Sequence, residues 1–317
     1  MPDHSIDAQA DARVLLRRAR GPAGRGSLRK LLRRRSTIAF LMTLPLITLI
    51  VVLLAYPMGY AIYLSMLDRH LTRFVGLDNF ALLIGSLKFW RVLYQTSLFT
   101  VTAVIVNAII GLVMALLMHN ISAKGHRWWR GMLLVPWVIP PSMSGLAWRQ
   151  LFDPSYSPFN WILERLGLHS IFWVGDTDWA RFCVIVVSIW HGAPFFMIMC
   201  LAWLKSVPEE IYQAASIDGA NGWQRLRYVT LPLMRNGIAI IMLFSTIGGF
   251  TGFAIVYVLT GGGPLQTTSV LATLAFFLSI FAGNFPLGSS VSLFMLPVLA
   301  VAATLILRGI AKRGSHA

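Results

Sequence analysis

SVPEEIYQAASIDGANGWQRLRYVTLP, residues 206–232, is a polar, helix-forming stretch between two long apolar ones, and we call it the polar island. Ser206 and Glu209 have the spacing of a capping box, and Pro208 falls in the first turn, where a missing N–H costs nothing. Glu209 and Glu210 place negative charge at the positive end of a helix dipole. The pattern therefore predicts a short helix that begins here.

Small side chains mark one face of this predicted helix. Ala215 and Gly219 are four residues apart, and Ala214 lies beside them. Residues at this spacing share a helix face. We expect the face to let another protein approach closely.

The second half of the island predicts a turn and another short helix. Asp218-Gly219 ends the first helix, and Asn221 can cap a second one that runs through Arg227. Leu231-Pro232 then restarts the apolar sequence.

The composition indicates an integral membrane protein. Of the 317 residues, 56% are hydrophobic and 12% are charged, whereas about 25% charged residues is usual in soluble domains. Charge-free runs long enough to cross a bilayer recur along the chain. Gly261-Gly262-Gly263-Pro264 splits the longest run in two, and an apolar connector, Thr268–Phe281, is left over as a half-inserted segment. The sequence thus predicts an all-α fold with six spans, over residues 37–66, 92–118, 128–151, 180–204, 234–259 and 285–309.

The basic residues predict the orientation. The tail before Ser36, the loop around Lys124, the island with its flanks and the C-terminal end hold 10, 3, 4 and 3 of the 27 Lys and Arg residues. The positive-inside rule places these segments, and hence both termini, in the cytoplasm. We divide the chain into a basic tail (1–36), a permease domain (37–311) and a short C-terminal tail (312–317). The net charge of +15 is interpreted as topology control and attraction to anionic lipid rather than nucleic-acid binding.

Several functions are not expected. No lysine follows a glycine, so a G-K-[ST] phosphate loop is absent from the sequence. Cys183 and Cys200 fall in one predicted span and are expected to be small apolar residues rather than a disulfide or metal site. An ion-coupled carrier usually needs carboxylates at membrane depth, and none of the 12 acidic residues lies in a predicted span core. We expect no catalytic residue, no metal and no cofactor bound by this chain.

Two spans carry features typical of a transport pathway. The third is interrupted by Pro136, Pro140 and Pro141, and unwound backbone at membrane depth must be buried in protein or line a watery cavity. The fifth has Gly248 and Gly252 at GxxxG spacing, which serves helix packing or lines a substrate path. The candidate pathway residues are Phe250, Thr251, Gly252 and Phe253 in the fifth span, with Trp190 and His191 in the fourth.

The island resembles the EAA loop of bacterial ABC-importer permeases, whose pattern is Glu-Ala-Ala, three residues, Gly, nine residues, then Ile-x-Leu-Pro. Here the pattern reads Gln213-Ala214-Ala215, Gly219, Val229 and Leu231-Pro232, with Gln213 and Val229 as mild departures. Asp218-Gly219-Ala220 is typical of the carbohydrate branch. Further matches, in order, are Tyr56-Pro57, Ser65, Gly76-Leu77-Asp78-Asn79-Phe80, Pro136-Trp137, Trp148-Arg149, Phe152-Asp153, Trp190 and Leu259-Thr260-Gly261-Gly262-Gly263-Pro264.

This resemblance implies a type I ABC-importer architecture in the bacterial inner membrane. It implies a second, homologous six-span permease, two cytoplasmic ABC ATPase subunits that use ATP and Mg, and an external solute-binding protein. Gly261, Gly262, Gly263 and Pro264 would lie on the binding-protein side. The ATPase-coupling residues implied in the island are Glu210, Gln213, Ala214, Ala215, Asp218, Gly219, Ala220, Leu231 and Pro232.

The sequence leaves alternatives open. A permease for a polyamine, phosphate or amino acid is the nearest rival to a sugar permease. An ion-coupled secondary carrier and a membrane-anchored enzyme or nucleic-acid scaffold are the others. Which sugar is carried, and whether this chain or its paired permease contacts it, is not encoded in a readable pattern.

Overall fold

Helices, joined by turns and loops, make up the part of the chain that the structure describes. The computed structural model describes residues 35–121 and 123–314, and most of these residues are helical. Within those ranges the sole β-type pairing is an isolated bridge between Leu67 and Phe74. The all-α fold is therefore confirmed. Most of the predicted basic tail, residues 1–34, and the last residues, 315–317, lie outside the described residues.

Five helices of the described residues are long and apolar enough to cross a membrane. Span 1 begins as a helix at Arg35 and contains a π-helical turn, Val51–Ala55. Span 6 remains helical to Gly314. The five are Ala39–Ser65 (span 1), Leu87–Asn120 (span 2), Thr177–Ser206 (span 4), Gly222–Thr251 (span 5) and Phe285–Gly309 (span 6).

Span 3 is two helices rather than the predicted continuous one over 128–151. Helix 3a, Ala123–Val138, keeps Pro136 inside it, and helix 3b, Pro141–Leu151, follows after Ile139 and Pro140. Two successive prolines remove two N–H donors and clash with the preceding turn, so the helix stops there. The predicted unwinding is thus confined to residues 139–140.

Span 5 also differs from the prediction of one helix over 234–259. It begins in the polar island at Gly222 and passes through a π-helical turn, Leu226–Thr230. In that turn Leu231 N–H bonds the carbonyl five residues back, and this shift in register accommodates Pro232 without a break. The helix ends at Thr251 and resumes as helix 5b, Ala254–Thr260.

Spans 2 and 4 pack closely because glycines remove side chains at their crossing. A Cβ added to Gly111 would lie 2.3 Å from Phe196 Cβ, and one added to Gly192 would lie 2.5 Å from Asn107 Nδ2. Span 5 joins them with Met234 and Ile241, both fully buried. The shared apolar core consists of Val104, Ala115, Met118, Phe196, Met197, Cys200, Leu201, Leu204, Met234 and Ile241.

The predicted apolar connector forms a helix, Leu271–Phe281, which we call the return helix. Its first residue lies deep in the bundle, because Leu271 N–H donates to Thr96 Oγ1 at 2.9 Å, and Thr96 lies nine residues after the start of span 2. Its far end is held by Arg69, whose guanidinium donates to the Ala282 carbonyl at 3.1 Å. The connector therefore enters the bundle and comes out again before span 6.

Two short helices lie between spans: Asp78–Ile84 between spans 1 and 2, and Pro158–Arg165 between spans 3 and 4. In the first, the amide of Asn79 is buried and donates to two carbonyls at the end of span 1, those of Ser65 (2.8 Å) and Leu67 (2.7 Å). Asn79 thereby supplies partners to carbonyls that the helix end leaves unpaired.

We predict that Asn79→Ala destabilises the protein, because the Leu67 carbonyl loses its donor at a cost of about 1–3 kcal/mol and the Ser65 carbonyl keeps only Ser290 Oγ at 3.5 Å. The measurement is thermal unfolding of the purified protein in detergent. Leu82→Ala, at an exposed side chain of the same helix, is the control and should change the melting temperature little. Equal melting temperatures for the two variants would show that the hydrogen bonds of Asn79 do not stabilise the end of span 1.

Candidate functional site

The main cavity of the described residues has a volume of about 450 Å³ and lies between spans 2, 3, 4 and 5. Both helix breaks open onto it: Trp137 and Pro141 flank the first, and Gly252 and Phe253 form the second. The rings in its wall are Phe99, Trp137, Phe195, Phe244 and Phe253, and the polar side chains are Thr100, Asn107, Ser188, His191 and Ser245.

Two polar side chains of span 2 are buried in this wall without a partner. Asn107 is 4% exposed and Thr100 is 3% exposed. Within the described residues neither Asn107 Oδ1 nor Thr100 Oγ1 has a hydrogen-bond partner. Such a group costs about 1–3 kcal/mol when buried. Both oxygen atoms are enclosed by neighbouring side chains in this conformation, so a solute hydroxyl or a water would reach them, and offset that cost, only after a rearrangement of the cavity wall.

His191 connects the cavity to the break in span 3. Its Nε2 lies 3.3 Å from the carbonyl oxygen of Ile139, and a carbonyl can only accept, so Nε2 carries the proton in this contact. The imidazole thus supplies a donor beside the break, where Pro140 and Pro141 have none.

Helices 3b and 5b, which follow the two breaks, pack against each other. Gly145 lies against Val258, where an added Cβ would be 3.2 Å from Val258 Cβ. The guanidinium of Arg149 donates to the Val258 carbonyl at 3.3 Å. The two half-helices therefore form one wall above the cavity.

The lining is uncharged. Among the described residues around the cavity there is no Asp, Glu, Lys or Arg. Nor do the described residues contain a group of three His, Cys, Asp or Glu placed to hold a metal ion. Aromatic rings combined with hydroxyl and amide groups suit an uncharged polar solute.

Three of the six predicted pathway residues line the cavity: His191, Gly252 and Phe253. Trp190 instead packs edge-on against Trp148, with ring centroids 5.6 Å apart. Phe250 is buried in the apolar cluster around the return helix.

The break at Gly252 determines which way Thr251 and the glycines of span 5 face. Thr251 instead lines a second pocket, whose volume is also about 450 Å³. Gly248 has open space where a Cβ would lie, so it lines the cavity and does not pack. The glycine that packs is Gly249, where an added Cβ would lie 2.8 Å from Thr100 Cγ2.

Sequence reasoning missed the residues of span 2. Asn107 is the one amide side chain between Thr96 and His119 in an otherwise apolar run, and a lone amide at membrane depth is expensive unless it has a use. That signal was available in the sequence. Thr100 gave no comparable signal, because helix threonines usually bond their own backbone.

The polar island begins with a helix over Glu209–Ile217, with Glu209 and Glu210 in its first turn as predicted. The predicted capping box at Ser206 is wrong. Span 4 runs on to Ser206, whose hydroxyl donates to the Trp203 carbonyl at 2.7 Å, and Pro208 is the N-cap. The capping role of Asn221 is confirmed, since Asn221 and Gln224 form a reciprocal capping box.

Gly219 has a conformational role. Its φ is +77°, Ala220 N–H bonds the Ala215 carbonyl (3.0 Å), and Gly219 N–H bonds the Ser216 carbonyl (3.1 Å). This is a Schellman motif, with Asp218 as C-cap, in which glycine avoids Cβ strain. Ala215 is half-buried. Gly219 therefore ends the helix, and the contact face at Ala215 and Gly219 stays a prediction.

The exposed side of the island helix carries Glu210, Gln213, Ala214 and Ile217. Ile217 is 87% exposed, a greater exposed fraction than that of any other large hydrophobic side chain in the described residues. Its side chain lies on the same face as those of Glu210, Gln213 and Ala214.

The opposite side of the island helix is tied to the start of span 5. Tyr212 and Thr230 share a hydroxyl hydrogen bond of 3.1 Å, and Arg225 donates to Ser216 Oγ at 3.1 Å. Leu231 and Pro232 continue span 5 directly from there.

The loop Gly261-Gly262-Gly263-Pro264 is closed by hydroxyl groups. Thr260 and Thr268 share a hydrogen bond of 2.8 Å, and Thr268 Oγ1 donates to the Gly263 carbonyl at 2.7 Å. Gly261 and Gly262 have positive φ values of 62° and 89°. The loop ends in Leu265, which is 83% exposed.

Residues 107–313 match the family described as "Binding-protein-dependent transport system inner membrane component". The trehalose/maltose transport system permease protein of Thermococcus litoralis is 34% identical over 283 residues, which cover 87% of this chain and 94% of that protein. The trehalose transport system permease protein of Mycobacterium tuberculosis is 30% identical, with coverage of 86% and 88%.

A solved structure has the same fold. It is a bacterial ABC transporter involved in the import of the acidic polysaccharide alginate, with a TM-score of 0.79 and 23% identity over 90% of this chain and 99% of that one. The resemblance carried by residues 213–232 is thereby confirmed, and the chain belongs to the family of inner-membrane components of binding-protein-dependent transport systems.

Proposed function

We propose that this chain is a permease subunit of an ATP-driven importer for a sugar or sugar-like solute. The observation that carries the proposal is the uncharged cavity between two helix breaks, with five aromatic rings and the unpaired polar groups of Asn107 and Thr100 in its wall. Saccharides combine apolar ring faces with hydroxyl groups, and this lining offers partners to both.

The alternatives within the family fit this lining less well. A phosphate or a polyamine needs an opposite charge or many charge-assisted hydrogen bonds, and the described lining has no ionised carboxylate, lysine or arginine. The names of the trehalose and maltose relatives support a sugar as well.

The partners belong to the proposal. A second six-span permease would complete the pathway, two cytoplasmic ABC ATPases would bind and hydrolyse ATP with Mg, and an external solute-binding protein would deliver the solute. The chain itself would hold no cofactor. The island helix would dock on an ATPase through Ile217, in the manner of a helix in a groove. The loop that ends in Leu265 would face the binding protein.

We predict that Asn107→Leu reduces sugar uptake about tenfold, because a similar shape replaces a group that binds the solute. The measurement is uptake of radiolabelled maltose, trehalose and diacetylchitobiose by cells that express the chain with its partner subunits. Ile109→Ala, at an exposed position of the same span, is the control and should transport normally. Normal uptake by Asn107→Leu at equal protein level, or absence of uptake of all saccharides by wild type, would contradict the proposal.

We predict that Ile217→Ser leaves the chain folded and inserted but lowers its affinity for the ATPase at least about tenfold, as expected for an anchor residue. Co-purification and solute-stimulated ATP hydrolysis provide the readout. Gln213→Glu, which restores the residue of the family pattern on the same face, should behave as wild type. ATP hydrolysis by Ile217→Ser at the wild-type rate would remove Ile217 from the docking surface.

The proposed orientation places both termini and the island in the cytoplasm. A cysteine at the exposed Leu265 should then react with a membrane-impermeant maleimide in intact cells, and one at the exposed Trp223 should react only after the cells are opened. The native Cys183 and Cys200 are buried, so labelling of the chain without an added cysteine measures the background reaction. Labelling of position 223 in intact cells would reverse the orientation and exclude ATPase docking by the island.

A further inference from the structure

A second pocket lies across Phe253 from the main cavity, between the break in span 5, the return helix and span 6. Phe253 lines both spaces. We propose that this second pocket is a separate saccharide-binding position, which a solute occupies before or after the main cavity. The inference rests on the proposed function and adds to it a site that the main cavity does not contain.

Two aromatic rings, Phe253 and Phe276, line the pocket, and the rings of Tyr257 and Phe281 pack against them outside its lining. The Phe253 centroid lies 4.8 Å from that of Tyr257 and 4.9 Å from that of Phe276, and Phe276 lies 5.8 Å from Phe281. None of these four rings is fully buried, and Phe281 is 64% exposed. Partly exposed rings at such intervals offer successive flat apolar surfaces, on which the apolar face of a sugar ring can stack.

Hydroxyl groups lie beside the rings. Thr251 donates to the Ile247 carbonyl at 2.9 Å, and Ser292 donates to the Gly288 carbonyl at 3.2 Å. Each hydroxyl oxygen keeps lone pairs that can accept from a solute hydroxyl. Ser279 is a third hydroxyl in the lining, and Ala272 and Ala275 leave the pocket open.

This combination favours a saccharide over a lipid chain. An acyl chain would make no use of three hydroxyl groups, whereas a sugar ring matches both the rings and the hydroxyls. Phe253 forms the wall between this pocket and the main cavity, so the pocket lies next to the proposed pathway. A helix of the paired permease is the competing occupant, and the experiment distinguishes it.

Two cysteine variants of the assembled transporter test the site in detergent. Thr251→Cys reports on the second pocket and Ser245→Cys on the main cavity, and N-ethylmaleimide is the label. The ligand is whichever of maltose, trehalose and diacetylchitobiose the wild-type transporter takes up. We expect millimolar saccharide to slow labelling at both positions. Protection at position 245 alone would overturn this inference and leave the proposed function standing, and protection at neither would overturn both. A cysteine at position 251 that reacts only after the permease pair is separated would assign the pocket to the partner helix.

Uptake by ring variants provides a second test. Phe276→Leu keeps an apolar side chain but removes the ring, and we expect uptake to fall about three- to tenfold at unchanged assembly, as for the loss of one aromatic contact. Phe277→Leu is the matched control, because Phe277 is the neighbouring residue and does not line the pocket. Equal uptake by the two variants, or loss of assembly in Phe276→Leu, would contradict the saccharide site.

Discussion

The structure depends on how two interrupted helices keep their backbone groups paired inside an apolar bundle. A membrane interior offers no water to an unpaired carbonyl, so a break persists only where protein groups or a watery cavity replace the lost bonds. At the first break His191 contacts the Ile139 carbonyl. At the second, Gly252 N–H bonds the Gly249 carbonyl at 3.2 Å, and Phe253 begins the next helix by accepting from Tyr257 N–H. Both breaks adjoin the main cavity, which is where polar backbone is tolerated.

Close packing around the breaks determines which residues reach the cavity. Gly111 and Gly192 bring spans 2 and 4 together, and Gly249 brings span 5 against Thr100. With the three spans this close, a side chain at their junction is buried and cannot reorient freely. Asn107 is therefore fixed in the wall with its oxygen enclosed and unpaired, which is a costly arrangement.

Much of the fold was predictable because membrane spans are defined by length and apolarity, which a sequence states directly. The polar island was predictable because its polar residues contrast with the apolar spans on either side. Asn221 caps the helix that follows it, as the sequence predicts. Errors arose where the answer depends on tertiary contacts. Ser206 has capping-box spacing, yet span 4 extends through it, and the edge of an apolar run cannot show where a helix ends. Thr251 and Gly252 are neighbours in sequence, but the break between helices sends them to different pockets. The sequence could therefore indicate that span 5 lines the pathway. It could not show which residues of span 5 face the main cavity.

Span 5 provides a mechanical link between the two ends of the proposed machinery. One continuous helix runs from Gly222 in the polar island to Thr251 beside the cavity, a length of about 45 Å at 1.5 Å per residue. The island helix is tied to the start of this span by the Tyr212–Thr230 and Arg225–Ser216 hydrogen bonds. Because a helix transmits displacement along its axis better than a loop does, a shift of the island helix would reach the glycines of the cavity wall. The π-helical turn at Leu226–Thr230 is the one irregular stretch in this path, and such turns are frequent at functional sites. It lies between the two residues of span 5, Arg225 and Thr230, that bond the island helix.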